Sequence, residues 1–185
     1  MNKEGKIVLD KTSYEYYQEL LEGIAERQYT PYPSSGNRLL EFPNFDPSVV
    51  SKVWNGNDRY GDVHITAYDG VDEALKAGHF VINVAGDIES KAHQEIPIWP
   101  YDIDLAETLS KVSDIIESVV DRGPDNPVTV HCAMGMERSG LAVAWWLKEW
   151  WGRSLDGAYG SIQLNRPIVM DRREWIPLTE RGREW

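Results

Sequence analysis

The segment His131-Cys132-Ala133-Met134-Gly135-Met136-Glu137-Arg138-Ser139-Gly140 carries the one cysteine of the chain and, six positions later, an arginine. A short apolar stretch with Val128 and Val130 leads in, and an apolar run from Leu141 to Leu147 leads out. The pair therefore falls where a strand gives way to a helix. At such a junction the peptide N–H groups of a tight loop converge on an anion, and the helix start adds the positive end of its dipole. A guanidinium can also fork onto two oxygens of a phosphate. The same field favours the thiolate of Cys132. A nucleophilic sulfur inside a phosphate cradle points to attack on phosphorus. The amides of Ala133, Met134, Gly135, Met136, Glu137 and Arg138 form the phosphate-binding set. The bland alternative is a small buried hydrophobic cysteine, and it gives no reason for His131, Gly135, Arg138 and Ser139 to accompany it.

The segment resembles the signature of the cysteine-dependent protein phosphatases, His-Cys, five residues, Arg, then Ser or Thr. The resemblance is closest to the dual-specificity branch and extends over residues 53 to 170. Gly135 stands for the loop glycine and Ser139 for the hydroxyl after the arginine. The resemblance implies a phosphomonoester hydrolase that works through a phosphocysteine intermediate on phosphotyrosine, and on phosphoserine and phosphothreonine, of proteins or peptides, without a cofactor. It also implies that His131 holds the loop in shape and that Ser139 hydrogen-bonds the thiolate as it leaves. An aspartate ahead of the cysteine protonates the leaving oxygen and then activates water, since one carboxyl group can serve both steps.

Asp102, 30 positions before Cys132, and Asp104 compete for that role. Asp104 and Glu107 have capping-box spacing, which predicts that the Asp104 carboxylate satisfies N–H groups at a helix start. Asp102 is the favoured acid. Trp99-Pro100 resembles the Trp-Pro-Asp loop of the tyrosine-specific members, with Tyr101 interposed before the aspartate. Members of the resembled family that act on inositol phospholipids tend to carry lysines in this loop; Ala133, Met134, Met136 and Glu137 supply none, so the resemblance implies a singly phosphorylated substrate. Glu137 opposes both thiolate and anion, so its side chain must point outward or pair with a cation. Arg166-Pro167 is similar to an Arg-Pro of dual-specificity members and serves as a substrate contact or a structural ion pair. Gln163 is a candidate for positioning water, at a spacing too short to match the family. Asn37-Arg38 has a faint likeness to a phosphotyrosine-recognition loop, read as chance. Arg172-Arg173 suits an acidic peptide or plain solvated surface.

Three other activities share parts of this pattern. A pseudophosphatase keeps the cradle without turnover. A rhodanese-like sulfurtransferase uses a loop cysteine but has little need of Arg138, Ser139 or Asp102. An RNA 5′-triphosphatase shares the loop chemistry but calls for a basic groove. The chain has 30 acidic and 19 basic residues, a formal charge of -11, which repels nucleic acid and acidic membranes at long range. A lone cysteine excludes an internal disulfide framework and fits a reducing compartment. With no apolar run of signal-peptide or membrane-spanning length, the expected location is the cytoplasm. His64, His79 and His93 show no metal-ligand spacing, so no metal is expected.

The elements that must position the loop follow from periodicity. Strands are predicted at Val53-Trp54, His64 to Ala67, Phe80 to Val84, Ile96 to Ile98 and Val128 to His131. A short helix is predicted over Val71 to Ala77. A long one shows an apolar stripe at Leu105, Leu109, Val112, Ile116 and Val119 or Val120. Leu141 to Leu147 is apolar all round, hence a buried helix, closed by Gly152. Strands alternating with helices predict an α/β domain around a mostly parallel sheet of four to five strands. Residues 53–185 form the phosphatase-like domain. Residues 1–52 form an extension whose helix has its stripe at Tyr16, Leu20 and Ile24, and whose aromatics pack on the body.

Overall fold

The computed structural model describes residues 38–181. The helix expected around Tyr16 to Ile24 lies outside them. Five strands form one sheet, β1 (Ser51–Trp54), β2 (Val63–Thr66), β3 (Phe80–Asn83), β4 (Gln94–Glu95) and β5 (Val128–His131), in the order β1-β2-β5-β3-β4. Only β1 runs antiparallel to its neighbour; β2, β3 and β4 all join by parallel pairing. The expected α/β architecture with a mostly parallel five-stranded sheet is therefore observed. β5 sits at the centre, and all four of its residues are buried, as a strand covered on both faces requires.

Among the described residues five α-helices accompany the sheet, α1 (Arg38–Glu41), α2 (Val71–Lys76), α3 (Leu105–Val120), α4 (Arg138–Trp151) and α5 (Leu155–Asn165). The predicted stripe of α3 is its buried face, with Leu105, Leu109, Val112, Ile116, Val119 and Val120 in the core. α4 is buried continuously from Ser139 to Leu147, and Gly152 ends it at φ 63, the left-handed conformation that glycine adopts without strain. Trp145 and Trp146 are core residues, whereas Trp150 stands half exposed. Trp151 joins a ring cluster with Trp54 and Tyr60.

The structure moves one strand and adds one helix to the elements expected. The fourth strand is Gln94–Glu95 rather than Ile96 to Ile98. Even so, Ile96 and Ile98 donate to the carbonyls of Asn83 and Val84 and prolong the same edge. Helix α5 was not foreseen, because Gly157 and Gly160 interrupt its pattern. It begins where the Ser154 side chain accepts a hydrogen bond from the Gly157 amide.

A second, smaller apolar cluster lies beside the main core. Leu39, Met134, Met136, Ile168 and Met170 are buried there, with Phe42 and Phe45 against them. The described aromatics ahead of β1 thus pack on the body, on the outer side of the cysteine loop.

Candidate active site

The loop from Cys132 to Glu137 leaves the C-terminal end of β5 and enters α4, the edge at which parallel sheets bind ligands. Its shape is set by where its carbonyls go. The Cys132 oxygen accepts from His131 Nδ1 at 3.3 Å, and the Ala133 oxygen from the Tyr68 amide at 3.0 Å. The Met134 and Gly135 oxygens both accept from Arg166, at 3.0 and 2.7 Å. The Met136 oxygen accepts from the Met170 amide, and the Glu137 oxygen from Leu141 in α4. Every loop carbonyl from 132 to 137 is thereby engaged. In a planar trans peptide the N–H points opposite to the C=O, so the amides of Ala133 to Arg138 are turned away from these carbonyl partners.

Gly135 makes this path possible. Its φ is 63, and a Cβ there would lie 2.5 Å from both Arg166 Nη2 and the Thr66 oxygen. Arg166 is fully buried and donates six hydrogen bonds, to the oxygens of Gly135, Val49, Ile65, Pro47 and Met134 and to Ser51 Oγ. It is neither a substrate contact nor half of a direct ion pair, but a cationic peg beneath the loop. Burial pulls its pKa down to about 10, against the charges of Cys132 and Asp46.

Cys132 is 5% exposed and lies at the floor of this cradle. Its Sγ is 3.4 Å from Ser139 Oγ, within reach of a hydrogen bond to sulfur. His131 is wholly buried, and burial holds its pKa near 4 despite the opposing Cys132 carbonyl. The ring is therefore neutral. Since a carbonyl can only accept, Nδ1 carries the proton, and Nε2 accepts from the Ser90 hydroxyl at 2.8 Å. Ser90 in turn accepts from the Ala92 amide.

Arg138 is flanked by two groups. Asp87, in the turn after β3, meets its Nη1 at 2.5 Å and its Nη2 at 3.4 Å. The ring of Trp99 lies 5.7 Å from the guanidinium carbon, a cation–π distance. Burial disfavours the charge on Arg138, but Asp87 and the nearby Cys132 outweigh it and the pKa is raised. Nothing in the sequence reading singled out Asp87. The available signal was its place just past the end of a strand that neighbours β5. Glu137 pairs with Arg172, at 2.5 and 2.8 Å from Nη2 and Nε, the cation its position demanded.

The acid loop carries a correction. Asp104 makes no side-chain cap at the start of α3. Instead Asp102 Oδ1 accepts from the Asp104 amide at 3.2 Å and the Asp102 carbonyl accepts from Leu105. This Asx turn two residues earlier stands in place of the capping box, and Glu107 pairs with Lys111 instead; the carboxylate engaged by the backbone is therefore that of Asp102 and not that of Asp104, which removes the ground on which the capping-box spacing favoured Asp102. Tyr101, between Pro100 and Asp102, takes φ 61, a left-handed conformation rare for an aromatic residue. Trp99, Tyr101 and Ile103 all stand exposed along this loop.

Two further readings are corrected. Gln163 uses its amide nitrogen to hold the Val169 carbonyl at 2.8 Å rather than to place water. Arg172 and Arg173 are bound to Glu137, Glu174, Asp156 and Asp171, so this pair is neither a recruiting patch nor open surface. Arg38 donates to the Pro167 carbonyl at 2.8 Å. Among the described residues no group of three or more His, Cys, Asp or Glu side chains is arranged to hold a metal.

Comparison with known proteins bears on the fold. Human DUSP28 superposes with a TM-score of 0.56 at 18% identity, covering 71% of this chain and 88% of that one. The fold is that of the dual-specificity phosphatases. The Yvh1 phosphatase domain of Chaetomium thermophilum gives 0.51 at 19% identity, covering 69% and 90%. A human tyrosine phosphatase-like serine/threonine/tyrosine-interacting protein gives 0.55 at 14%, covering 69% and 90%. No protein-family model matches the sequence, and no curated protein does. Among the described residues no helix is long and apolar enough to cross a membrane.

Proposed function

We propose that the chain hydrolyses phosphomonoesters of proteins or peptides through a phosphocysteine, acting on phosphotyrosine and also on phosphoserine and phosphothreonine. The observation that carries this reading is the loop whose carbonyls are all engaged outside the cradle while its thiol lies at the floor beside a guanidinium. Such a cavity suits a tetrahedral dianion, because inward amides and Arg138 stabilise charge on the equatorial oxygens. In the first step the Cys132 thiolate attacks phosphorus in line. The S–P bond forms, the bond to the ester oxygen breaks, and Asp102, chosen for its interval of 30 positions to Cys132 and acting through the Oδ2 that the Asp104 amide does not engage, gives that oxygen a proton. In the second step Asp102 takes a proton from water, whose oxygen attacks phosphorus. The S–P bond then breaks, phosphate departs, and the Ser139 hydroxyl steadies the returning thiolate.

The depth of the thiol and the exposed Trp99 beside Arg138 support an aryl phosphate as the preferred substrate. The test is hydrolysis of para-nitrophenyl phosphate in the presence of a chelator. Turnover is expected for the natural sequence. Cys132→Ser is expected to abolish it while retaining tungstate binding, and Asp102→Asn to lower kcat by about 10²-fold or more. Undiminished hydrolysis by Cys132→Ser refutes the phosphocysteine route. Tungstate binding without turnover in the natural sequence would mark a phosphate-binding protein.

A further inference from the structure

A second concave site lies at the far end of α4 from the cysteine loop. α4 runs 14 residues from Arg138 to Trp151, so at 1.5 Å per residue the two ends are about 20 Å apart. The cleft at the Trp151 end has a volume of about 550 Å³. Tyr60, Trp150 and Trp151 give it aromatic walls, and Asp114, Glu117 and Asp121 give it carboxylates. Spacings of three and four residues keep these acids on one face of α3 and its C-terminal cap.

Most of this wall is held in place. The Tyr60 and Trp151 rings meet edge to face with centroids 5.2 Å apart. Glu117 Oε2 accepts from the Trp146 indole at 2.9 Å, which leaves Oε1 for another donor. Trp150, by contrast, is 50% exposed, a large aromatic face at a helix end with nothing laid over it. Among the described residues Arg59 is the one cation lining the cleft, and it shows what chemistry the walls accept. Its guanidinium lies 4.9 Å from the Tyr60 ring centroid and donates to Asp121 Oδ1 at 3.3 Å. One cation against three carboxylates leaves negative charge beside the Trp150 face.

We infer that this cleft docks a basic segment of a partner protein, with an arginine whose guanidinium stacks on Trp150 and donates to Asp114 and Glu117. Arginine suits the site better than lysine, because a planar guanidinium both lies on an aromatic face and reaches a carboxylate beside it. Arg59 does the same between Tyr60 and Asp121. The carboxylates turn away polyanions and acidic membranes. A second copy of a chain with formal charge -11 is repelled as well. The inference goes beyond the phosphohydrolase reading and does not rest on it.

Fluorescence anisotropy of a labelled Gly-Arg-Gly-Arg peptide on the full chain tests this. Saturable binding is expected at low ionic strength, weakening as salt is added, with the indole N–H resonances of Trp150 and Trp151 shifting in nitrogen–proton correlation spectra. Trp150→Ala is expected to weaken binding about fivefold. The pair Asp114→Asn and Glu117→Gln is expected to weaken it by about the same factor, and Glu117→Gln keeps an oxygen for the Trp146 indole. Glu73→Gln, which removes a charge from an exposed position on α2, is expected to leave affinity unchanged. Circular dichroism checks that each variant is folded. No saturable binding, equal affinity in Trp150→Ala, equal affinity for the Gly-Lys-Gly-Lys peptide, or a matching loss in Glu73→Gln overturns the inference. So does self-association in sedimentation that Trp150→Ala abolishes, since a second copy would then be the occupant. None of these measurements reads turnover, so the hydrolase reading stands or falls separately on para-nitrophenyl phosphate.

Discussion

Replacing Arg166 by methionine tests whether a buried cation shapes the cradle. Methionine fills similar space without donors. The Pro47 oxygen keeps the Ala67 amide as a partner, but the oxygens of Met134 and Gly135 and the Ser51 hydroxyl, all buried, lose the hydrogen bond that Arg166 supplies. A buried acceptor left unpaired costs about 1–3 kcal/mol, so three cost about 6 kcal/mol at the middle of that range. The substitution also removes a burdened charge. With a pKa drawn from its ordinary 12.5 down to about 10, protonated Arg166 weakens the fold near neutrality by about 3 kcal/mol. The net loss is about 3 kcal/mol. For a domain of this size that lowers Tm by roughly 6–12 °C. Thermal unfolding followed by circular dichroism at pH 7 measures it. Tungstate titration well below Tm is expected to show affinity lost in the still-folded protein, since the Met134 and Gly135 peptides are free to turn. A Tm within about 2 °C of the parent, with tungstate affinity intact, refutes the argument.

Two other outcomes follow from the same geometry. Gly135→Ala meets both a left-handed backbone and contacts at 2.5 Å to Arg166 and the Thr66 oxygen, so phosphatase activity and tungstate binding are expected to vanish even where circular dichroism reports a folded chain; retention of more than about a tenth of either is the contrary result. His131 and His64 are buried with pKa values drawn down to about 4 from an ordinary 6.5, so on acidification the unfolded chain takes up protons first. Their stabilising contribution is complete above pH 6.5 and declines as pH falls toward 4, by about 3 kcal/mol for each histidine at the limit. Urea midpoints between pH 7 and 4 read this slope, and a flat profile contradicts it.

What the sequence made legible is what local chemistry and period dictate. β5 and the loop after it were readable because Val128, Val130 and the Cys-Arg spacing are contiguous. α3 was readable because its stripe repeats over several turns. Roles set by distant partners were hidden. Arg166 finds its acceptors more than thirty residues away on one side and over a hundred on the other. Asp87 finds Arg138 across 51 positions, and a single aspartate after Ala85-Gly86 looks like any turn residue. The capping box failed for a local reason of another kind. Asp102 and Asp104 are equivalent by type, and the chain turned two residues sooner than the spacing suggested. α5 was concealed by its glycines, which lower helix propensity by about 1 kcal/mol each. It forms because its Leu155, Ala158, Tyr159 and Ile162 face is buried.

One guanidinium joins three remote stretches of chain: Pro47 and Val49 ahead of the sheet, the loop at Met134 and Gly135, and α5's own end. The cradle therefore has no autonomous existence as a ten-residue signature. A fragment trimmed to begin at residue 53 would retain every letter of that signature and still forfeit three of the oxygens that anchor its keystone, those of Pro47, Val49 and the Ser51 hydroxyl. In such a fragment amide hydrogen exchange at the loop would quicken before any change in the core strands.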